Sequence, residues 1–162
     1  MGYLVWTEDL NTGIDVIDGQ HKRIVEYINK LHEARLNNDS AGIGDIITAT
    51  IDYTVSHFTF EETLIEDAGY EFIGPHKKVH QLFIRRVSEF KQRFERGEDI
   101  SEELHNLLAR WLFSHIRNDD AAYVQAVKSN ILKITDDKSS SGWLARSFKR
   151  VFGGRPRFDQ AQ

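Results

Sequence analysis

The chain has 162 residues, 40% of them hydrophobic and 28% charged, with two prolines, no cysteine and a formal net charge of −4. This length suits one domain with a sizeable core. The lack of cysteine excludes disulfides, thiolate metal ligands and a cysteine nucleophile, and the acidic balance gives no reason to expect nucleic acid as a partner.

Four long segments in turn carry helical periodicity. The first runs from about Asp15 to Leu36, with Ile17, His21, Ile24, Val25, Ile28, Leu31 and Leu36 on one face. NNDSAG breaks the pattern and offers Asp39 or Ser40 as a cap for a second helix over roughly 41–67. DAGYEFIGP reads as a loop, and Pro75 suits the first turn of a third helix over about 75–96. Its aligned residues are His76, His80, Phe83, Val87, Phe90 and Phe94, and Gly97 ends it. EDIS then caps a fourth helix over about 101–133. No segment alternates like a strand. Similar lengths and short links predict an all-α fold, an antiparallel up-down-up-down four-helix bundle. The predicted bundle domain is 1–134, followed by a linker and basic amphipathic tail over 135–162. No apolar run approaches the roughly 18 residues that span a membrane, and the start, MGYLVWTEDL, lacks the order of a secretory signal. A cytoplasmic location is therefore expected.

SHFTFEE in the second helix places ionisable groups among aromatic ones. At about 100° per residue, His57 and Glu61 share the apolar line with Tyr53, Leu64 and Ala68, while Thr59 and Glu62 point away to solvent. A buried carboxylate is costly unless a cation or several donors meet it. The other helices supply partners: His21 from the first, His76 and His80 of HKKVH from the third, and His115 of WLFSHIRNDD from the fourth. Each alone is ordinary. Together, five inward imidazoles and a carboxylate are hard to satisfy without metal. HKKVH lacks the glutamate of a zinc-protease motif. Six or seven ligands exceed the four of a structural zinc, so the count points to two ions, and a His-rich, carboxylate-bridged pair in a bundle suggests di-iron. On an ideal helix Asp119 shares the face of His115 and Asp120 does not. His32 lies about 16 Å along the first helix from His21, and His105 precedes His115 by ten residues; both are expected to be non-ligands.

W followed by TGIDVIDGQH, then HFTFEE, HKKVH and HIRNDDAAY, over about residues 3–131, strongly resembles the hemerythrin family in its bacterial single-domain form. The resemblance implies a non-haem centre of two iron ions, bridged by carboxylates and an oxo or hydroxo group, that binds O2 reversibly for storage, delivery or buffering, without acting as an enzyme. It implies that His76, His80 and His115 hold one iron and that His21 and His57 hold the other, which keeps a position open for O2. Glu61 and one aspartate bridge the two. The family's H-I-x-x-x-D-x-x-Y pattern selects Asp120, which requires a π-bulge or kink between 115 and 120. The pocket around the open position should be apolar; Ile24, Phe58, Trp111, Leu112 and Ile116 are its candidates, with ordinary core packing the alternative for each. Other readings of such a centre are an O2 or redox sensor acting through a partner, and a di-iron enzyme acting on peroxide or nitric oxide.

Residues 136–162 carry a charge of +3, leaving −7 on the rest. In WLARSFKRVF, Trp143, Phe148 and Phe152 share one side with basic residues largely elsewhere. Residues 142–152 thus form either a short fifth helix on the bundle or a docking helix for an acidic protein or an anionic, peripherally bound membrane.

Overall fold

The computed structural model describes residues 2–136. The expected linker beyond 136 and the basic segment 142–152 lie outside the described residues. The elements are α1 (Asp15–Leu36), α2 (Ser40–Asp67), α3 (Ile73–Glu95) and a fourth rod in three pieces. These pieces are α4 (Ser101–His115), a π-helical turn (Ile116–Asp120) and α5 (Ala121–Asp136). The rod therefore continues three residues past the expected Lys133. A 3₁₀ turn at Glu8–Leu10 precedes α1, and no strand occurs among the described residues.

Helix limits follow local chemistry. Asp39 caps α2 by accepting from the Gly42 N–H at 2.9 Å. Gly97 takes φ +88° just past α3, a conformation that favours glycine. Asp99 accepts from the Ser101 hydroxyl at 2.9 Å and so organises the start of α4.

α1 packs on α2 and α4, and α2 packs on α3 and α5. The apolar stripes form two buried clusters. The larger includes Ile24, Ile28, Leu31, Phe58, Phe83, Leu108, Leu112 and Ile116. The smaller joins Ile14, Ile17, Phe60, Leu64, Ile65, Tyr123 and Val127. On α1, α2 and the fourth rod, His21, Glu61 and His115 fall between members of the two clusters in sequence. The stripe of α1 ends before its predicted limit: Leu36, at the helix terminus, is 59% exposed.

The fourth rod explains how an aspartate outside the ideal register reaches the core. Along it the inward residues step from Leu108 to Leu112, His115, Asp120, Tyr123 and Val127. The five-residue step from His115 to Asp120 coincides with the π turn, which absorbs one extra residue without rotating the helix beyond it.

The segment before α1 is pinned by Asp18. Its buried carboxylate accepts from the Thr12 N–H at 2.8 Å, the Thr12 hydroxyl at 2.7 Å and the Gly13 N–H at 3.0 Å. Asp18→Ala strands these donors and should cost about 1–3 kcal/mol of stability, read as a lowered denaturant midpoint. Asp18→Asn, which keeps an acceptor, should lose less.

Candidate metal centre

The ionisable residues expected inside are inside. Glu61, Asp120 and His21 are 0% exposed, and His57, His76, His80 and His115 are also buried. Two overlapping groups place their nitrogen and carboxylate oxygen atoms within 4.8 Å of one another: Glu61, His76, His80, His115 and Asp120, and His21, His57 and Glu61. Glu61 belongs to both. Asp120 also reaches across, with Oδ1 3.0 Å from His115 Nε2 and Oδ2 3.2 Å from His21 Nε2. Glu61 Oε2 lies 3.1 Å from His80 Nε2 and 3.3 Å from His76 Nε2.

Three imidazoles are oriented by the nitrogen that faces away from this cluster. His57 Nδ1 donates to Gln20 Oε1 at 2.7 Å, His80 Nδ1 to Glu62 Oε1 at 2.8 Å, and His115 Nδ1 to Asp119 Oδ2 at 2.7 Å. With Nδ1 as donor, the neutral ring presents the Nε2 lone pair inward, the form a metal ligand needs. Tyr123 donates its hydroxyl to the second oxygen of Glu61.

These partners amend the sequence reading in one place and complete it in others. Glu62 does not simply face solvent: its side chain is 23% exposed and holds His80. Asp119, 41% exposed, stays outside the cluster and holds His115, whereas Asp120 is buried, as the π turn allows. Gln20 and Tyr123 were not singled out as contacts. The TGIDVIDGQH and HIRNDDAAY stretches contain them, but only the packing of α1 and α5 on α2 shows what they touch. His32 and His105 are buried away from the cluster, ring against ring at 5.1 Å.

Two of the five apolar candidates, Phe58 and Trp111, pack directly on these rings. Phe58 stacks on His80 at 3.7 Å with the rings 3° apart, and Trp111 stacks on His115 at 4.4 Å. Phe58 meets His57 at 5.6 Å. Ile24, Leu112 and Ile116 are buried in the same apolar cluster.

Electrostatics show how strained the set is without further cations. Burial disfavours the charged form of His57 and lowers its pKa to about 3, although Glu61 pulls the other way. Burial also opposes a charged His115, but Asp120 and then Glu61 outweigh it and raise its pKa to about 9. Burial likewise opposes a charged His80, yet hydrogen bonds to Glu61 and Glu62 raise it. Burial pushes the Glu61 carboxyl up, and hydrogen bonds from His76 and His80 hold it well below the usual range instead. Burial, with Glu61 and Asp120 beside it, keeps the Tyr123 phenol neutral far above its ordinary range.

The donor set fits a metal centre rather than a self-sufficient polar core. His57 Nε2, both nitrogens of His21 and both oxygens of Asp120 are buried without a hydrogen-bond partner. The contacts of His21 and His115 with Asp120 are close but lack hydrogen-bond geometry. His80 Nε2 and His115 Nε2 stand only 3.0 Å apart, an arrangement that neutral rings satisfy by sharing a cation.

Comparison with known proteins agrees with this geometry. Residues 12–127 match the model of the hemerythrin HHE cation binding domain. The chain belongs to the hemerythrin family. A bacteriohemerythrin of Pseudomonas aeruginosa strain PAO1 is 61% identical over 153 residues, which covers 94% of this chain and all of that protein. One from Methylococcus capsulatus is 31% identical over 125 residues, covering 76% of this chain and 95% of the relative. A solved wild-type hemerythrin superposes with a TM-score of 0.73 at 29% identity, covering 76% of this chain and 97% of that one. The expected hemerythrin fold and the cluster for a metal centre are thus both present.

Because Gln20 and Glu62 orient rings without entering the cluster, Gln20→Leu and Glu62→Ala should leave the fold intact. Each should weaken iron retention by about 10- to 100-fold, measured by competition with a chelator. The helical wheel alone, which turns Glu62 to solvent, gives it no such role.

Proposed function

We propose that this hemerythrin binds O2 reversibly at a non-haem di-iron centre, as a store, carrier or buffer of O2 rather than as an enzyme. The observation that carries this reading is the pair of overlapping ligand groups sharing Glu61, in which His57 Nε2, both His21 nitrogens and both Asp120 oxygens are buried without a hydrogen-bond partner. His76, His80 and His115 would hold one iron, His21 and His57 the other, and Glu61 and Asp120 would bridge them. When bound, the irons supply the electrons that a bound O2 takes up.

The chain's own residues do the rest. Two ionised carboxylates offset part of the metal charge in a site with no water-exposed ligand, where electrostatic interactions are strong. Gln20, Glu62 and Asp119 fix the tautomers of His57, His80 and His115, so that each ring offers its lone pair inward. Tyr123 remains a neutral donor to Glu61 and fixes its orientation. Ile24, Phe58, Trp111, Leu112 and Ile116 would form an apolar wall that excludes water from the centre.

A non-enzymatic role is supported by how the polar groups are used. Tyr123, Glu62 and Asp119 are each hydrogen-bonded to a residue proposed as a ligand, which gives them a structural use in a binding site. Among the described residues no helix is long and apolar enough to cross a membrane, which is compatible with the proposed cytoplasmic location. Residues 1–134 are proposed as the O2-binding unit and 135–162 as an extension, with residues 142–152 a candidate contact for an acidic protein or anionic membrane.

Metal analysis with optical spectra tests the reading. The purified chain should hold two irons, and its reduced form should gain a visible charge-transfer band on exposure to O2 and lose it when O2 is withdrawn. Glu61→Ala should abolish both the iron and the band. One zinc per chain, an irreversible change, or rapid turnover of peroxide would contradict it.

A further inference from the structure

The tryptophan near the start of the chain belongs to the sequence pattern but is absent from the ligand set. Residues 3–6 run as an extended strap along α1, opposite in direction. Asn29 clamps the strap through its backbone: the Leu4 N–H donates to Asn29 Oδ1 at 2.7 Å, and Asn29 Nδ2 donates to the Leu4 carbonyl at 3.0 Å. Two residues on, Trp6 lies over His21, with ring centroids 6.4 Å apart and planes 29° apart. Trp6 is fixed from its other sides as well. Its Nε1–H donates to Asn11 Oδ1 at 2.9 Å, and Lys22 Nζ stands 5.4 Å from its ring centroid.

His21 differs from its neighbours in what orients it. His57, His80 and His115 each have an outward nitrogen held by an amide or carboxylate. His21 is fully buried and neither nitrogen is hydrogen-bonded. Its Nε2 faces Asp120 Oδ2 at 3.2 Å on the inner side, and on the outer side it meets rings, with Trp6 on one face and His57 edge-on at 4.7 Å. A ring without a hydrogen-bond anchor is free to turn unless packing stops it, and an aromatic face at this separation is within the favourable range.

We propose that Trp6 is the positioning residue of His21, and that Asn29 holds in place the strap that carries it. The proposal rests on His21 being a ligand of the di-iron centre proposed above. It makes the segment before the bundle part of the site, linked to the iron that takes O2.

The test compares the full-length, iron-loaded protein with Trp6→Leu, Trp6→Phe and Asn29→Leu, using chelator competition, amide hydrogen exchange and crystal structures. Trp6→Leu should release one of its two irons about tenfold more readily and show the His21 ring in more than one orientation. Trp6→Phe, which restores an aromatic face, should recover most of the retention; a general loss of fold stability would not be rescued in this selective way. Asn29→Leu should speed exchange at the Leu4 amide and release iron as Trp6→Leu does. Wild-type retention in Trp6→Leu, with the His21 ring unmoved, would overturn the proposal. If the wild-type chain holds no iron, the di-iron reading falls, and the His21 ring in the Trp6→Leu crystal still decides the positioning role.

Discussion

Two carboxylates, Glu61 and Asp120, sit fully buried at the centre of a helical bundle, and much of the structure around them answers that constraint. An ionised pair in such a medium repels itself and is poorly solvated. Protonated imidazoles can offset part of it, as the raised pKa values of His80 and His115 indicate. They cannot serve the whole set, because His57 is pushed strongly toward its neutral form and several inward atoms remain without partners. Cations between the ligands resolve both problems at once. They favour ionised carboxylates and neutral rings, and they take up the lone pairs that hydrogen bonds leave unused.

The bundle converts this requirement into geometry. Each helix contributes an inward residue between apolar layers, so the ionisable cluster is closed above and below by core packing. The π turn is the one irregularity in the fourth rod, and it moves Asp120 into line with His115 while leaving Asp119 to anchor that histidine from outside. A single extra residue thus lets two adjacent aspartates do different jobs. Around the centre, anchoring from an amide, two carboxylates and an indole replaces a uniform scheme, each chosen by the element that happens to pack behind the ring.

The fold was largely legible because its signals are local and repeated. Apolar spacing over four long segments, the Asp39 cap and Gly97 placed the helices to within a few residues. The inward histidines and Glu61 were legible for the same reason. Asp120 was not, since ideal periodicity favours Asp119; the family pattern selected it, and the π turn supplies the physical cause. Glu62 was misread because a helical wheel separates inward from outward residues but does not show that α3 brings His80 against the outward edge of α2. Gln20 and Tyr123 escaped for a related reason: their partners lie 37 and 62 residues away, on helices whose relative rotation periodicity does not specify. Leu36 errs in the other direction, as an apolar residue in register whose helix ends where no neighbour covers it.

The central claim is that two cations sit among these seven side chains. Anomalous diffraction from crystals of the purified protein at the iron absorption edge tests it most directly. The account predicts two iron peaks, one among His76, His80 and His115 and one beside His21 and His57, with Glu61 and Asp120 touching both. A single peak, a peak at the zinc edge only, or none within the cluster would contradict it.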